Sequence, residues 1–276
     1  VPGLTISMYN FGPQVLKNGN IGCRVQLMSK KNSKEIPLRY ESEGIKKIVS
    51  ILQLLIVVYN KDSVYVHIMH GDITTRVGVN SQNIVAKVGN EVKAYATSNH
   101  YKPADFKQII HIVDTDAAYL AEDKVLEDSA CVELSYQDDG IHTNDVSKVI
   151  ARNKQKTDNL YRLRSCGNIW GVPYRVYYMS CNLDHVLYDK RNSTDEEKEN
   201  DAYAFAKKYK NDVVSFMNYM CGSAFSVKGD FKDSWEFIEK DMRSIERYTN
   251  LPICLESEMQ EKEFTTGTAF GKCLST

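Results

Sequence analysis

The feature of the sequence that most constrains its fold is a short apolar run followed at once by two acidic residues. The run covers residues 107–113, Lys-Gln-Ile-Ile-His-Ile-Val, and it leads directly into Asp114-Thr115-Asp116. An apolar run of this length between polar residues is typical of the central strand of a parallel sheet, which is buried on both faces. Since such a strand needs helices on both sides, the run predicts an α/β domain.

Other segments extend this expectation along the chain. Turn signals alternate with strand-like stretches over residues 1–38 and predict a β-rich N-terminal segment. Further strands are predicted at 64–69 and 172–179 from their β-branched and aromatic residues, while the acidic residues 120–142 predict a loop. Helices are predicted from apolar spacing and capping residues over 42–60, 82–96, 144–164 (capped by Asn144), 194–220 and 233–248. We therefore expect an α/β fold in which helices flank a small, mainly parallel sheet and form a helical C-terminal layer.

Charge and hydropathy narrow the class of protein. The net charge of −1 gives no global electrostatic case for binding nucleic acid, although a local basic patch stays open. The longest apolar stretch, residues 48–59, falls short of the roughly 18 residues needed to span a bilayer and is interrupted by Ser50 and Gln53. The seven cysteines are scattered and form no CxxC pair, which favours reduced thiols. These observations predict a cytoplasmic protein with no membrane partner.

The predicted helix over 42–60 begins with a segment that can bind phosphate. Ser42 and Gly44 lie at its start, where free backbone N–H groups and a hydroxyl can contact an anion. A helix cap without a ligand is the plainer alternative. The segment 35–44, its helix and the strand from Val64 resemble the C-terminal part of ABC-type ATPases of the overcoming-lysogenisation-defect class. The resemblance implies that Ser42 and Gly44 contact ATP in trans, on a partner ATPase subunit.

Departures from that family limit what the N-terminal part can do. No G-x-x-x-x-G-K-[ST] loop occurs in the sequence. Met69 and His70 stand where the family has the Asp and Glu of its Walker B strand. Phosphoryl transfer from ATP lacks its required parts without these groups. We therefore expect a chain that cannot hydrolyse ATP by itself, with residues 1–72 as an ATPase C-terminal fragment.

The acidic pair at the end of the apolar run is the best candidate for chemistry. Asp114 and Asp116 follow a predicted strand, and Mg²⁺ takes carboxylate oxygens as ligands. The carboxyl edge of parallel strands is also where open α/β sheets bind ligands. Asp184 can complete such a site and His185 can shuttle protons. The alternatives are that the first two aspartates cap a turn, that Asp184 starts a helix on which His185 packs, and that His111 is a satisfied core residue.

The C-terminal part carries a second resemblance. The stretches 109–116, 170–174 and 179–188 are similar to RloB-like and TOPRIM-like proteins that accompany ATPases in phage-defence systems. The resemblance implies that Asp114 and Asp116 bind Mg²⁺ as a D-x-D motif and that the domain cleaves phosphodiesters. The family's general acid or base, a Glu on an earlier strand, has no clean match, because His70 stands in its place and Glu91 lies in no convincing strand.

These resemblances divide the chain into an ATPase-like part at 1–72, a TOPRIM/RloB-like α/β domain at 73–256 and a polar tail at 257–276. Three hypotheses about function stay open. The first is a Mg²⁺-dependent phosphoesterase or nuclease acting on nucleic acid, with Asp114, Asp116, Asp184 and His185 as its site. The second is a non-catalytic partner of an ATPase, and the third is a degenerate fusion without activity.

Overall fold

The computed structural model of the chain describes residues 5–15, 21–31, 34–37, 71–209 and 212–257. The chain divides into two units, Val1–Asp72 with Asp195–Lys208 and Ile73–Thr194 with Tyr209–Thr276. Several predictions fall outside the described residues. They are the helix over 42–60, the strand over 64–69, the sites at Ser42, Gly44 and His70, and the tail from residue 258 onward.

Strands and helices follow one another along the described ranges. The strands are β1 (Thr5–Val15), β2 (Ile21–Lys31), β3 (Lys34–Pro37), β4 (Ile109–Asp114), β5 (Val125–Glu127), β6 (Ser135–Gln137), β7 (Gly140–Thr143), β8 (Asn168–Ile169) and β9 (Val172–Met179). The helices are α1 (Ile84–Ser98), α2 (Val146–Arg164), α3 (Leu183–Tyr188), α4 (Asp195–Tyr209), α5 (Val213–Gly222) and α6 (Phe231–Ile238). Residues 251–257 are also helical. None of the helices in the described ranges combines the length and the apolarity needed to cross a bilayer.

Strands β1, β2 and β3 form an antiparallel sheet in that order, in the first unit. The pairing of β1 with β2 shifts register between Asn10 and Pro13, where proline cannot donate to the ladder. The expectation of a β-rich N-terminal segment is therefore confirmed for the described part of residues 1–38.

The α/β class is confirmed, but the expectation of a mainly parallel sheet is wrong. Two three-stranded sheets of the second unit are mixed: β4-β9-β8 and β5-β7-β6 each join one parallel and one antiparallel pair. Short hairpins explain the antiparallel pairs. Trp170 and Gly171, between β8 and β9, have φ of 56° and 77°, and two such residues in succession suit a two-residue hairpin turn.

Strand β9 is the centre of its sheet and is mostly buried. Its residues Val176, Tyr178 and Met179 are fully buried, and Tyr174 is 1% exposed. The strand matches the predicted range 172–179 residue for residue, and β4 begins two residues into the apolar run 107–113 and extends one residue beyond it. Burial of neighbouring residues over 176–179 shows that this end of β9 is covered on both faces, as a central strand requires.

Three helices begin or end at residues other than those predicted. Asp145, not Asn144, caps α2 by accepting a hydrogen bond from the Lys148 amide at 3.0 Å. The helix predicted over 194–220 is two helices, because Asp212 is not helical and caps α5. The helix predicted over 233–248 ends at Ile238.

The early end of α6 has a tertiary cause. Residues 244–250 pair with the end of β9: Ser180 donates its amide to the Tyr248 carbonyl at 2.8 Å, and Tyr178 donates its amide to Asn250 Oδ1 at 2.8 Å. If this segment were helical, its backbone carbonyl groups would accept hydrogen bonds from amides of the same helix and would not pair with β9. The pairing with β9 therefore overrides the helical pattern of the sequence.

The acidic segment predicted as a loop over 120–142 instead contains β5 and β6 and the start of β7. This small sheet covers an apolar cluster whose buried members are Ala117, Leu120, Val125, Ile141, Val149 and Ile245. The turn into β7 needs glycine, since a Cβ on Gly140 would lie 2.1 Å from the Lys124 carbonyl oxygen. Because the cluster includes Ala117, it lies close to the end of β4.

Candidate functional site

Asp114 ends β4 at the same sheet edge where β9 ends. The two strands are parallel, and Asp114 pairs with Met179, the last residue of β9. Beyond this pair the two segments remain tied together, because the Thr115 amide donates to the Met179 carbonyl at 2.9 Å. The Asp116 amide donates to the Cys181 carbonyl at 2.7 Å. Asp116 therefore stays at the carboxyl edge of the parallel pair, where α/β sheets bind ligands.

The backbone at this edge adopts an uncommon conformation on both segments. Asp116, Ala117 and Cys181 have φ of 50°, 54° and 53°, in the left-handed region that side chains disfavour. Hydrogen bonds hold it there, including one from the Cys181 amide to Thr115 Oγ1 at 3.0 Å. Conformations of this kind are found at functional sites more often than elsewhere, because surrounding contacts must maintain them.

The Asp116 side chain forms an ion pair with a buried lysine. Lys156 Nζ lies 2.5 Å from Asp116 Oδ2, and the Lys156 side chain is only 1% exposed while that of Asp116 is 25% exposed. Arg152, one turn earlier on α2, donates from Nη2 to the Asp116 backbone carbonyl at 2.9 Å. Residues four apart share one helix face, so α2 presents both cations to the same aspartate.

The Cys181 thiol is influenced by the charges of both acidic residues. Burial raises the pKa of its thiol well above the usual range, and the carboxylates of Asp116 and Asp114 raise it further. The positive charges of Arg191 and Arg152 oppose this rise. The thiol therefore keeps its proton at neutral pH and is not a nucleophile.

Tyr136 of β6, which is partly buried, places its phenol in the same region. Burial raises its pKa above the usual range, the charge of Asp116 adds to the rise, and Arg152 opposes it. The phenol therefore stays neutral at physiological pH. We call this group the acidic-edge cluster, and its members are Asp114, Asp116, Tyr136, Arg152, Lys156 and Cys181.

Asp184 and His185 lie in the first turn of α3, where both are buried. Asn182 caps this helix by accepting a hydrogen bond from the His185 amide at 2.9 Å. Burial lowers the pKa of His185 to about 4, and the positive charges of Arg191 and Arg247 act in the same direction. The imidazole is therefore neutral at pH 7, with Nε2 at 3.8 Å from Asp189 Oδ1.

Asp114 and Asp116 provide two carboxylates for a metal ion, but the described residues do not provide a complete set of protein ligands. Among the residues that the structure describes, no group of three or more His, Cys, Asp or Glu is arranged to hold a metal, so Asp114, Asp116 and Asp184 do not form a three-ligand site. One oxygen of Asp116 also contacts Lys156. These donors suit a Mg²⁺ ion that keeps water and takes further oxygens from a bound phosphate.

Two further predictions can be compared with the structure. His111 is a core residue, as one alternative proposed, because it is 7% exposed and its Nδ1 lies 2.8 Å from the Tyr174 hydroxyl. Glu91 lies on α1 and not on a strand, and it pairs with Arg76 at 3.2 Å. Glu91 therefore does not occupy the strand position that the TOPRIM resemblance requires for its acid or base.

The cations that contact Asp116 were not among the predicted site residues. Arg152 and Lys156 are spaced four residues apart on the helix predicted over 144–164, and that spacing is the only signal for them in the sequence. Scans against protein-family models and curated proteins, and a search of solved structures, found no match to this chain. Function is therefore inferred from the chemistry of the acidic-edge cluster.

Proposed function

We propose that the chain is a phosphoryl-transfer enzyme, a TOPRIM-like phosphoesterase or nuclease, with the acidic-edge cluster as its active site. The observation that carries the proposal is the ion pair of Asp116 with Lys156, whose side chain is 1% exposed. A buried ion pair contributes little net stability, since desolvation offsets the attraction. Its position beside Asp114, at the ligand-binding edge of the parallel pair, favours a role in chemistry.

Each carboxylate has a role in this proposal. Asp114 and Asp116 would hold Mg²⁺ together with the oxygens of a bound phosphate. The ion would neutralise charge that develops on the phosphoryl group during transfer. Lys156 restricts the Asp116 carboxylate to one orientation, and Arg152 holds the backbone of the same residue. Both cations also make the local potential favourable for a phosphate.

The remaining groups favour attack by water over covalent catalysis. The Cys181 thiol and the Tyr136 phenol keep their protons, because burial raises the pKa of both. Neither is therefore an activated nucleophile at neutral pH. His185 carries no extra proton at pH 7, since its pKa is lowered to about 4. It can accept a proton or donate a hydrogen bond, but it does not serve as the acid that protonates a leaving group.

The test is hydrolysis of phosphate esters by the full chain. Single-stranded DNA, duplex DNA and bis(p-nitrophenyl) phosphate are incubated with the protein and Mg²⁺ or Mn²⁺. Asp114→Asn should lower the rate roughly 100-fold or more, because it removes a charged group that acts on the transition state. The exposed acid Asp123 gives a matched control, and Asp123→Asn should retain the wild-type rate. Absence of hydrolysis by the wild-type protein with either metal would overturn the proposal.

A non-catalytic role beside an ATPase is the second candidate. It is favoured by the ligand set, because no group of three or more His, Cys, Asp or Glu in the described residues is arranged to hold a metal. In this case the N-terminal part would dock on an ATPase subunit of a phage-defence system, with Ser42 and Gly44 contacting ATP in trans. Co-purification with an ATPase encoded beside the gene, weakened by Ser42→Ala in the presence of ATP, is the expected result. An intact complex with the Ser42→Ala chain would exclude contact with ATP through this residue.

A further inference from the structure

Helix α2 concentrates positive charge in a chain whose net charge is −1. Six of its 19 residues are Lys or Arg, and its single acidic residue is Asp158. Lys156 and Arg164 form ion pairs with carboxylates. The other four have no carboxylate partner in the part of the chain that the structure describes; they are Lys148, Arg152, Lys154 and Arg162. The local basic patch that the net charge left open is therefore found on this helix.

The Arg152 guanidinium is held in place by uncharged groups. Its Nε and Nη2 donate to Asn153 Oδ1 at 3.1 and 2.6 Å, and Nη2 also donates to the Asp116 backbone carbonyl at 2.9 Å. Burial raises the pKa of the Tyr136 phenol and Arg152 acts against this rise, which places a neutral hydroxyl beside the guanidinium. These contacts orient the positive charge of Arg152 without neutralising it.

Lys148 lies one turn before Arg152 on the same side of α2, since residues four apart are neighbours on a helix surface. Lys148 is exposed, whereas Arg152 is partly buried. We call these two residues the basic row. Like charges at this spacing repel each other and destabilise a helix slightly, so the basic row gives the fold no electrostatic advantage. A partner that carries negative charge would remove this repulsion.

The arrangement of the basic row suits a partner whose negative charges follow one another along a chain. A nucleic-acid strand has this property, and Lys and Arg neutralise its phosphates with release of counterions. Contacts to the phosphate backbone need an exposed basic surface and no cavity, because the phosphates lie on the outside of the strand. Arg152 contacts Asp116, so a strand bound to the basic row passes the edge where Asp114 ends β4.

We propose that Lys148 and Arg152 bind the phosphate backbone of a nucleic-acid strand and lead it to the acidic-edge cluster. This inference rests on the proposed function and deepens it, because it makes the substrate a polynucleotide and not a small phosphate ester. The other two unpaired cations of α2 are not part of the basic row. Lys154 is two residues from Arg152, and residues two apart do not face each other. Arg162 is ten residues from Arg152, or about 15 Å along the helix.

The experiment measures binding of fluorescently labelled oligothymidylate to the full chain by anisotropy, with EDTA present so that the strand is not cleaved. Lys148→Gln and Arg152→Gln should each weaken binding roughly threefold to tenfold at about 50 mM salt. Each should also make the slope of log affinity against log salt concentration less steep by about 0.7, because one phosphate contact is lost. Thermal unfolding checks that both variants are folded.

Lys154→Gln is the matched control, because it removes one positive charge from an exposed lysine on a different side of the same helix. It should change affinity less than about twofold, since only general charge is lost. Polyglutamate at equal charge concentration should not displace the oligothymidylate. Equal losses of affinity in Lys148→Gln and Lys154→Gln, displacement by polyglutamate as effective as by unlabelled oligothymidylate, or no binding by the wild-type protein would each overturn the inference.

The outcome for the basic row can be told apart from the outcome for the proposed function, because binding is measured without metal and hydrolysis with it. Strand binding that depends on Lys148 and Arg152, in a chain that hydrolyses no phosphate ester, would support the basic row and refute the enzyme. Hydrolysis of bis(p-nitrophenyl) phosphate that depends on Asp114, in a chain that binds no strand, would support the enzyme and refute the basic row.

Discussion

The ion pair between Asp116 and Lys156 is unequally buried, and this inequality predicts how each partner responds to substitution. Asp116→Asn removes the negative charge next to an ammonium whose side chain is only 1% exposed, which should cost roughly 3–5 kcal/mol of unfolding free energy. Lys156→Met leaves a carboxylate that is 25% exposed and can be hydrated, so the cost should be roughly 1–3 kcal/mol. Urea unfolding of the two variants measures both values.

The double variant provides the control for this prediction. Asp116→Asn combined with Lys156→Met removes both charges, and its stability should return to near that of Lys156→Met alone, because the buried ammonium is then absent. Equal costs for the two single variants, or a double variant as unstable as their sum, would show that the two side chains are not buried to such different extents.

His185 predicts a pH dependence of stability. Its pKa is about 4 in the folded chain against 6.5 for the unfolded group, because of burial and then of Arg191 and Arg247, opposed by Asp189 and Asp138. Between these values the unfolded chain binds the proton more tightly, so stability is full above pH 6.5 and falls as the pH drops toward 4. The loss should reach about 3 kcal/mol in the low-pH limit.

The measurement is a set of urea unfolding curves from pH 7 to pH 4 for the wild type and for His185→Gln. Carboxylates titrate near the lower end of this range, so the difference between the two proteins isolates the contribution of the histidine. The wild type should lose stability relative to the variant as the pH falls. A difference that does not change with pH would refute a buried neutral imidazole.

At the level of single residues, the sequence predicts those positions that are determined by nearby residues in the chain. The positions of Asp114 and Asp116 at the end of a strand follow from the apolar run that precedes them. The contact of Asp116 with Lys156 could not be predicted, because it depends on how α2 packs against that strand end.

The cap of α2 gives a prediction at the level of an element. The carboxylate of Asp145 accepts a hydrogen bond from the Lys148 amide at 3.0 Å, so Asp145→Ala should cost about 1 kcal/mol of unfolding free energy. Asn144 is exposed and precedes the cap, so Asn144→Ala should be nearly neutral. Thermal unfolding of the two variants decides between them. A larger loss for Asn144→Ala would restore the cap that the sequence favoured.

Elements were predictable where local pattern and tertiary contacts agree. Strand β9 and helix α2 carry strong periodic or β-branched patterns, and the structure contains both close to their predicted bounds. The helical pattern over 233–248 was only partly followed, because residues 244–250 give their hydrogen bonds to the end of β9. Sequence spacing cannot indicate that a distant strand end will compete for these groups.

For the molecule as a whole, the sequence could indicate the α/β class but not the direction of every strand. The sequence pattern of a buried apolar strand such as β9 is the same whether its neighbours are parallel or antiparallel. In this chain β9 has one neighbour of each kind. The antiparallel pair of each sheet follows a tight turn, at Trp170-Gly171 with φ of 56° and 77°, and at Asp138-Asp139 before Gly140. The direction of a strand relative to its neighbours therefore depends on the turns as much as on the apolar runs.

The second unit depends on one buried side chain that joins three of its segments. Asn250 is fully buried; it accepts a hydrogen bond from the Tyr178 amide of β9 at 2.8 Å and donates to Ser234 Oγ of α6 at 3.0 Å. Asn250→Ala leaves two buried groups without this partner and should cost roughly 2–4 kcal/mol, a large share of a typical domain stability. Residues 244–257 and the end of β9 should then exchange their amide hydrogens faster.

Hydrogen exchange followed by mass spectrometry, together with urea unfolding, tests this prediction on the full chain. Asn168→Ala is the matched control, because Asn168 is an exposed asparagine on β8. Faster exchange should extend to Cys181, whose amide donates to the Ser244 carbonyl at 2.8 Å, and so reach the edge where Asp114 and Asp116 lie. If Asn250→Ala exchanges like the control, the C-terminal segment does not hold this edge, and the proposed active site must be supported by the packing of α2 alone.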